Sequence, residues 1–337
     1  MEIQENVSLK PYNTFGIDVP ASHFMVVRSV QDLKEVLGRK DLPAPFVLSG
    51  GSNILLTAPL QALVLLIDIR GREILEEGPD NVLIRAMAGE NWHELVLWSL
   101  QQGLGGIENL ALIPGKTGTA PIQNIGAYGV ELKDVFEGCT AVEIATGDLH
   151  RFSREQCRFG YRDSFFKRAG KGRYIIVSVD LRLSRGAHRL STSYGAIESE
   201  LQSRGISNPS PADVADAVIA IRRRKLPDPA VLGNSGSFFK NPLIPTGHFE
   251  KLRASFPDLP GYPQGDGQVK VPAGWLIEKC GLKGYRQGDA GVHQNQALVL
   301  VNYGKASGEE LLRLSRLVQD TVLREFAIEL QPEVNIL

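Results

Sequence analysis

The stretch Glu108 to Glu131, ENLALIPGKTGTAPIQNIGAYGVE, decides how the rest of the chain is read. Gly115, Gly118, Gly126 and Gly129 punctuate a run of small and amide residues that does not look like a core helix. Glycine has no Cβ, so backbone N–H groups in such a run can approach a ligand closely and form concave anion-binding nests. This composition suits the pyrophosphate of a cofactor. A long glycine-rich loop with no ligand would have the same composition, so the surrounding chain must arbitrate.

The common nucleotide motifs fail here. Gly115-Lys116-Thr117 resembles the end of a phosphate-binding P-loop, but that motif needs glycine five positions before Gly115, and Leu110 stands there. No segment completes G-x-G-x-x-G between a strand and a helix, so a Rossmann site is not expected. Ser235-Gly236-Ser237 runs into Phe238-Phe239 and lacks the G-x-S-x-G spacing of a nucleophile elbow. What remains is a second glycine loop, Ser49-Gly50-Gly51-Ser52-Asn53, entered from the apolar Phe46-Val47-Leu48 and left through Ile54-Leu55-Leu56. It lies within one domain's length of the first. Together the two loops could hold an extended dinucleotide without a Rossmann fold.

The elements around them predict an α+β chain with hairpins rather than a strict strand–helix alternation. Strands are expected at 24–27, 46–48, 62–68, 82–88, 140–145 and 174–183, and the nearly all-apolar 62–68 is expected to be buried on both faces. Ser29-x-x-Asp32 and Asn91-x-x-Glu94 predict helix starts, with Gly38 and Gly103 near the ends. Ser210-Pro211 opens a helix whose apolar face is Val214, Val218 and Ile221, and Pro227 stops it after Arg222-Arg223-Arg224-Lys225. Most of that basic run complements the helix dipole, while at least one member could meet a phosphate. Beyond Leu226-Pro227-Asp228-Pro229 a second unit is expected: helices at 249–254 and 273–280, a strand at 297–301, a helix at 311–326 opened by the capping box Ser307-x-x-Glu310, and a terminal strand over 328–337.

Bulk properties narrow the class. A chain of 337 residues has room for about two domains, or three. A net charge of −1 argues against a nucleic acid or an anionic membrane as partner. Cys139, Cys157 and Cys280 fit buried thiols in a reducing compartment better than a disulfide framework. The six histidines, His23, His93, His150, His188, His248 and His293, show no metal-ligand spacing, so no metal site is expected. MEIQENVSLK lacks the basic start and apolar run of a secretory signal, and no uncharged apolar span approaches membrane length, so a cytoplasmic protein is expected.

Taken in order, SGGSNIL (49–55), IPGKTGTAPIQNIGAYG (113–129), CRFGYRDSFFK (157–167), KLPDP (225–229), GNSGSFFKNP (233–242), AGWLIEKCGLKG (273–284), HQNQALVLVN (293–302) and PEV (332–334) resemble the UDP-N-acetylenolpyruvoylglucosamine reductases. The resemblance runs nearly end to end. It is to the type with a tyrosine-bearing loop over the substrate, given Ser193-Tyr194-Gly195 and the Tyr262 segment. It implies a two-lobed FAD-binding domain of the vanillyl-alcohol-oxidase (PCMH) type over 1–226, with lobes at about 1–68 and 69–226. It further implies an α+β substrate domain over 227–326 and a strand, 327–337, returning to the FAD domain. FAD would be noncovalent, NADPH the co-substrate, a UDP-sugar enolpyruvate the substrate, and the protein a monomer.

By the same resemblance, Gly50, Gly51, Ser52, Asn53, Pro114, Gly115, Thr119, Asn124, Ile125, Gly126, Ile176 and Arg222 would hold FAD. Tyr194, Lys225, Asn241 and Gln296 would hold the UDP-sugar, and Arg162, Ser237 and Glu333 match the catalytic positions. Paired guanidinium donors suit an oxyanion, a nearby carboxyl can share its proton, and a hydroxyl can protonate a carbanion. In isolation Arg162 and Glu333 read as a surface ion pair and Ser237 as a turn hydroxyl; the ordered set of blocks overturns that. Ser49 stands where a glycine is often seen before Gly-Gly-Ser, and Lys116 and Thr117 lie in a variable part of the loop. Two rival readings are a flavin oxidase of the same cofactor fold, and a UDP-sugar-binding module that has lost catalysis.

Overall fold

The computed structural model describes residues 2–194 and 196–337, so Gly195 of the Ser193-Tyr194-Gly195 segment lies outside the described residues. The chain forms two compact units. The first comprises Met1–Val7, Ala21–Gly50 and Gln61–Arg223; the second comprises Ser8–Pro20, Gly51–Leu60 and Arg224–Leu337.

The first unit holds two main sheets. In one, the strands Gln4–Ser8, Pro20–Val27, Leu60–Ile67 and Pro45–Leu48 lie in that spatial order, and the last two run parallel with Leu48 opposite Leu66. Leu63, Val64, Leu65 and Ile67 are buried, as their unbroken apolar run predicts. The helix Val30–Leu37 lays Leu33 and Val36 into the same core, and the Ser29 hydroxyl caps it by accepting from the Asp32 N–H. In the other sheet the order is Leu149–Ser153, Phe136–Glu143, Tyr174–Arg185, Asn81–Met87 and Arg72–Glu77. The central Tyr174–Arg185 belongs to two cores: Ile175 and Val177 join Met25 and Leu65, while Ile176, Leu181 and Leu183 join Leu95, Val214 and Val218.

Three further helix starts form where the residues predict. Asn91 accepts from the Glu94 N–H to open Trp92–Gln101, and Ser210 accepts from the Asp213 N–H to open Pro211–Lys225. In the second unit, Ser307 and Glu310 close a reciprocal capping box on Gly308–Phe326. That unit's sheet runs Gly233–Ser237, Val299–Asn302, Ala290–Val292, Arg286–Gln287, beside a three-stranded sheet of Leu243–Pro245, Gln268–Lys270 and Tyr262–Gln264.

Beyond shifts of a few residues at strand ends, two features differ from the expected layout. The terminal strand contracts to Asn335–Ile336, which pairs in parallel with Ile54–Leu55. Pro332 has no N–H for a ladder and forms an isolated bridge with Phe239, while Ile328 and Leu330 are buried outside any strand. The units are also not contiguous in sequence: residues 8–20 and 51–60 cluster with the C-terminal part, where the terminal strand also lies. The Asn302 amide, for example, donates to the Phe15 carbonyl at 2.9 Å.

Candidate active site

In the first unit the two glycine loops meet. A Cβ on Gly50 would lie 2.8 Å from the Cα of Gly115, so the backbones touch where any side chain would separate them. A Cβ on Gly118 would fall 2.5 Å from that of Ala88, which seats the longer loop against the end of the Asn81–Met87 strand. Hydrogen bonds fix the seating: Trp92 N–H to Gly115 O at 3.1 Å, Thr117 N–H to Glu90 O at 2.9 Å, and Gly118 N–H to Ala88 O at 3.0 Å. Lys116 adds a clamp, its Nζ donating to Ile67 O at 3.1 Å and Asp68 Oδ1 at 2.9 Å. Burial opposes the Asp68 charge, but the bonds from Lys116 and Arg70 hold its carboxyl below the usual range.

The far end of the loop carries the charge. Arg162, in the left-handed region at φ 53°, donates through Nη2 to Gly126 O at 2.6 Å. Arg222, on the buried side of the Pro211–Lys225 helix, has a buried Nε with no partner in the protein. Burial pushes its guanidinium below the usual range; Tyr128 opposes that shift and the neighbouring Arg162 adds to it. A desolvated cation next to a second cation, with a buried N–H that has no partner in the protein, suits an anion. The buried, unpartnered Ser49 hydroxyl at the other loop is a further open donor. The residues therefore fit a flavin dinucleotide: a tight two-loop backbone for the pyrophosphate, and unmet donors for oxygen atoms.

The remaining expected cofactor residues divide into surface and scaffold. Ile125 and Ile176 are buried core residues of this unit. Thr119 turns its hydroxyl inward to Lys116 O. Asn124, fully buried at φ 44°, commits both amide protons to Glu131 and Gly160 O and accepts from the Lys133 N–H. Its side chain thus ties the glycine loop to the segment bearing Arg162. Pro114 is exposed beside Gly115. Tyr194 is exposed, with its Cβ 3.4 Å from where a Cβ on Gly129 would sit.

The second unit contains the other two catalytic candidates. A register shift between Asn234 and Ser237 marks a bulge, and Gly236 supplies its φ of 69°. Ser237 emerges exposed while Phe238 and Phe239 are buried. Those rings stack edge-on at 5.1 Å and anchor the segment. The Glu333 N–H donates to Phe238 O at 2.8 Å, so Glu333 lies beside the residue that follows Ser237. Asn53 also belongs here: its amide donates to Glu333 O at 3.3 Å and its carbonyl accepts from Asn335. Gly51 O accepts from the Thr14 N–H at 3.1 Å, and Ser52 is half-buried between Gly51 and Asn53.

Two of the expected sugar-binding residues converge on one helix start. Asn241 Oδ1 accepts from the Ala273 N–H at 3.0 Å, and Gln296 Oε1 lies 3.3 Å from where a Cβ on Gly274 would sit. Lys225 is exposed at the end of its helix. Sequence reasoning missed His93, which lies outside the glycine stretch and accepts from the Leu112 N–H, and Asn109 and Tyr128, which lie within it without being singled out. Asn109 donates to Tyr128 O and Ser191 O, and no spacing in the sequence marks that role.

The family matches define a flavin-dependent oxidoreductase built on a PCMH-type FAD domain. An FAD binding domain family matches residues 21–153, and the UDP-N-acetylenolpyruvoylglucosamine reductase C-terminal domain matches 228–337. The UDP-N-acetylenolpyruvoylglucosamine reductase of Flavobacterium johnsoniae is 52% identical over 337 residues, covering 100% of both chains. That of Pseudomonas aeruginosa is 53% identical over 339 residues, covering 100% of this chain and 99% of its own. The crystal structure of the reductase from Thermus caldophilus aligns at TM-score 0.71 and 26% identity, covering 100% of this chain and 99% of that one. The chain belongs to the UDP-N-acetylenolpyruvoylglucosamine reductase family. Full-length similarity to reductases decides against the flavin-oxidase alternative. No helix among the described residues is long and apolar enough to cross a membrane.

Proposed function

We propose that this chain reduces UDP-N-acetylglucosamine enolpyruvate to UDP-N-acetylmuramate in peptidoglycan precursor synthesis, with noncovalent FAD and with NADPH as electron donor, as a cytoplasmic monomer. The observation that carries the cofactor half is the contact of Gly50 on Gly115 in the unit that also holds the unpartnered Arg222 Nε. The two glycine loops and Arg222 would hold FAD, which would supply the hydride for the β-carbon of the enolpyruvyl group, its two electrons drawn from NADPH. Every other step belongs to the chain.

Arg162 stabilises the enolpyruvyl carboxylate as negative charge builds on it. Its bond to Gly126 O fixes the guanidinium plane, which lowers the reorganisation needed when the charge develops. Glu333 shares a proton with that developing oxyanion. Ser237 Oγ gives the proton that completes the α-carbon, and the bulge at Gly236 supports the role by turning the hydroxyl out of the buried Phe238 layer. Tyr194, Lys225, Asn241 and Gln296 bind the sugar nucleotide, with the lysine and the amides suited to its diphosphate.

Ser237→Ala separates the half-reactions. Bleaching of bound flavin by NADPH is expected to survive, while reoxidation by the enolpyruvyl sugar nucleotide slows about a hundredfold or more. Equal loss in both half-reactions would remove Ser237 from the proton transfer. Purified protein without flavin absorbance would overturn the whole assignment and return the reading to a UDP-sugar-binding module.

A further inference from the structure

The imidazole of His93 lies outside every glycine motif, yet it touches the flavin loop at Leu112, the first of three non-glycine residues there, with Asn124 and Tyr128, that adopt a positive φ. Leu112 sits at φ 58°, a conformation uncommon for a residue with a Cβ, directly before Ile113-Pro114-Gly115. Its N–H donates to His93 Nδ1 at 3.1 Å. The neighbouring side chain of Trp92 donates from Nε1 to Leu110 O at 3.0 Å, and the Trp92 N–H holds Gly115 O. The first residues of the Trp92–Gln101 helix therefore grip the loop entrance at three points. The His93 bond is the only one of these three that depends on a titratable atom.

We propose that His93 is a positioning residue for FAD: by accepting the Leu112 N–H at Nδ1, its neutral Nε2–H tautomer holds the glycine loop in the shape that receives the cofactor. This rests on the reading of that loop as the FAD cradle. A backbone N–H can only donate, so Nδ1 must be unprotonated and the ring's proton must be on Nε2. The surroundings keep it so. Burial pushes the imidazole below its usual range, Arg223 and Arg222 from the Pro211–Lys225 helix push the same way, and Glu94 on its own helix opposes them. Protonation of Nδ1 would turn an acceptor into a second donor facing the Leu112 N–H.

The test uses holoenzyme of wild type, His93→Asn and His93→Phe. Asn places an acceptor oxygen close to the position of Nδ1, whereas Phe keeps a planar ring without one. In His93→Phe the Leu112 amide is expected to exchange hydrogen faster, and FAD to bind about tenfold more weakly, with His93→Asn restoring both. Wild-type FAD affinity is expected to hold at about pH 6.5 and to fall only on further acidification, as the lowered folded His93 takes up its proton, and that of His93→Asn to change far less. Unchanged Leu112 exchange in His93→Phe, or identical pH profiles for wild type and His93→Asn, would overturn the proposal. Faster exchange with undiminished FAD affinity would instead overturn the cradle reading beneath it. Should His93→Phe fail to fold, the pH comparison of the other two proteins decides alone.

Discussion

Gly50 shows how little room the proposed cofactor site leaves its own backbone. With the Cβ position 2.8 Å from Gly115 Cα, Gly50→Ala must part the two loops, a shift of the kind that costs about 1–3 kcal/mol. FAD retention after gel filtration is expected to drop sharply in this variant while far-ultraviolet circular dichroism stays native; full retention would mean the loops do not form the cradle. At this scale the sequence was informative about residue type and silent about partners. SGGSN and IPGKTG announce close backbone approach because only glycine allows it. Nothing in the sequence says that Arg222 is the member of Arg222-Arg223-Arg224-Lys225 with a buried, unpartnered Nε, or that the Asn124 amide is spent on Glu131 and Gly160.

Helices were the most legible elements, because their ends are written in local chemistry. Ser29, Asn91, Ser210 and Ser307 all accept from the backbone N–H three residues on, as their side chains and spacing require. Ser307→Ala removes an acceptor and half of a reciprocal box, so the second unit is expected to lose about 1 kcal/mol in chemical denaturation. An unchanged midpoint would show that solvent replaces the cap. Strands were less legible. The Phe136–Glu143 strand begins four residues before the expected 140, since its partner Tyr174–Arg185 pairs with it as far as Phe136. The expected ten-residue terminal strand contracts because Pro332 interrupts its ladder.

At the scale of the whole molecule, two histidines link stability to pH. Burial pushes both His93 and His293 below their ordinary value, His93 with help from the arginines. Each therefore stays neutral in the folded protein at a pH where the unfolded chain takes up a proton. The unfolded state binds more protons from about pH 6.5 downward, and stability falls across the window between that value and the lower folded values. Thermal midpoints measured from pH 8 to pH 5 are expected to be flat above about pH 6.5 and to decline below it. A midpoint that rises on acidification through that window would contradict buried neutral imidazoles.

The sequence by itself determined the α+β class, the capped helices, the two backbone-exposing glycine loops and the family resemblance, since these depend on local propensity and on residues in fixed order. Only the tertiary structure decided that Gly50 abuts Gly115, that Arg162 reaches Gly126, and that residues 8–20 and 51–60 cluster with the C-terminal unit. Such contacts join positions far apart in the chain, and they are set by which surfaces exclude each other's side chains and satisfy each other's donors. No period or spacing along one strand of sequence encodes that complementarity. His93 is the clearest case: as a residue it is an isolated histidine, and only the Leu112 N–H against its ring gives it a role.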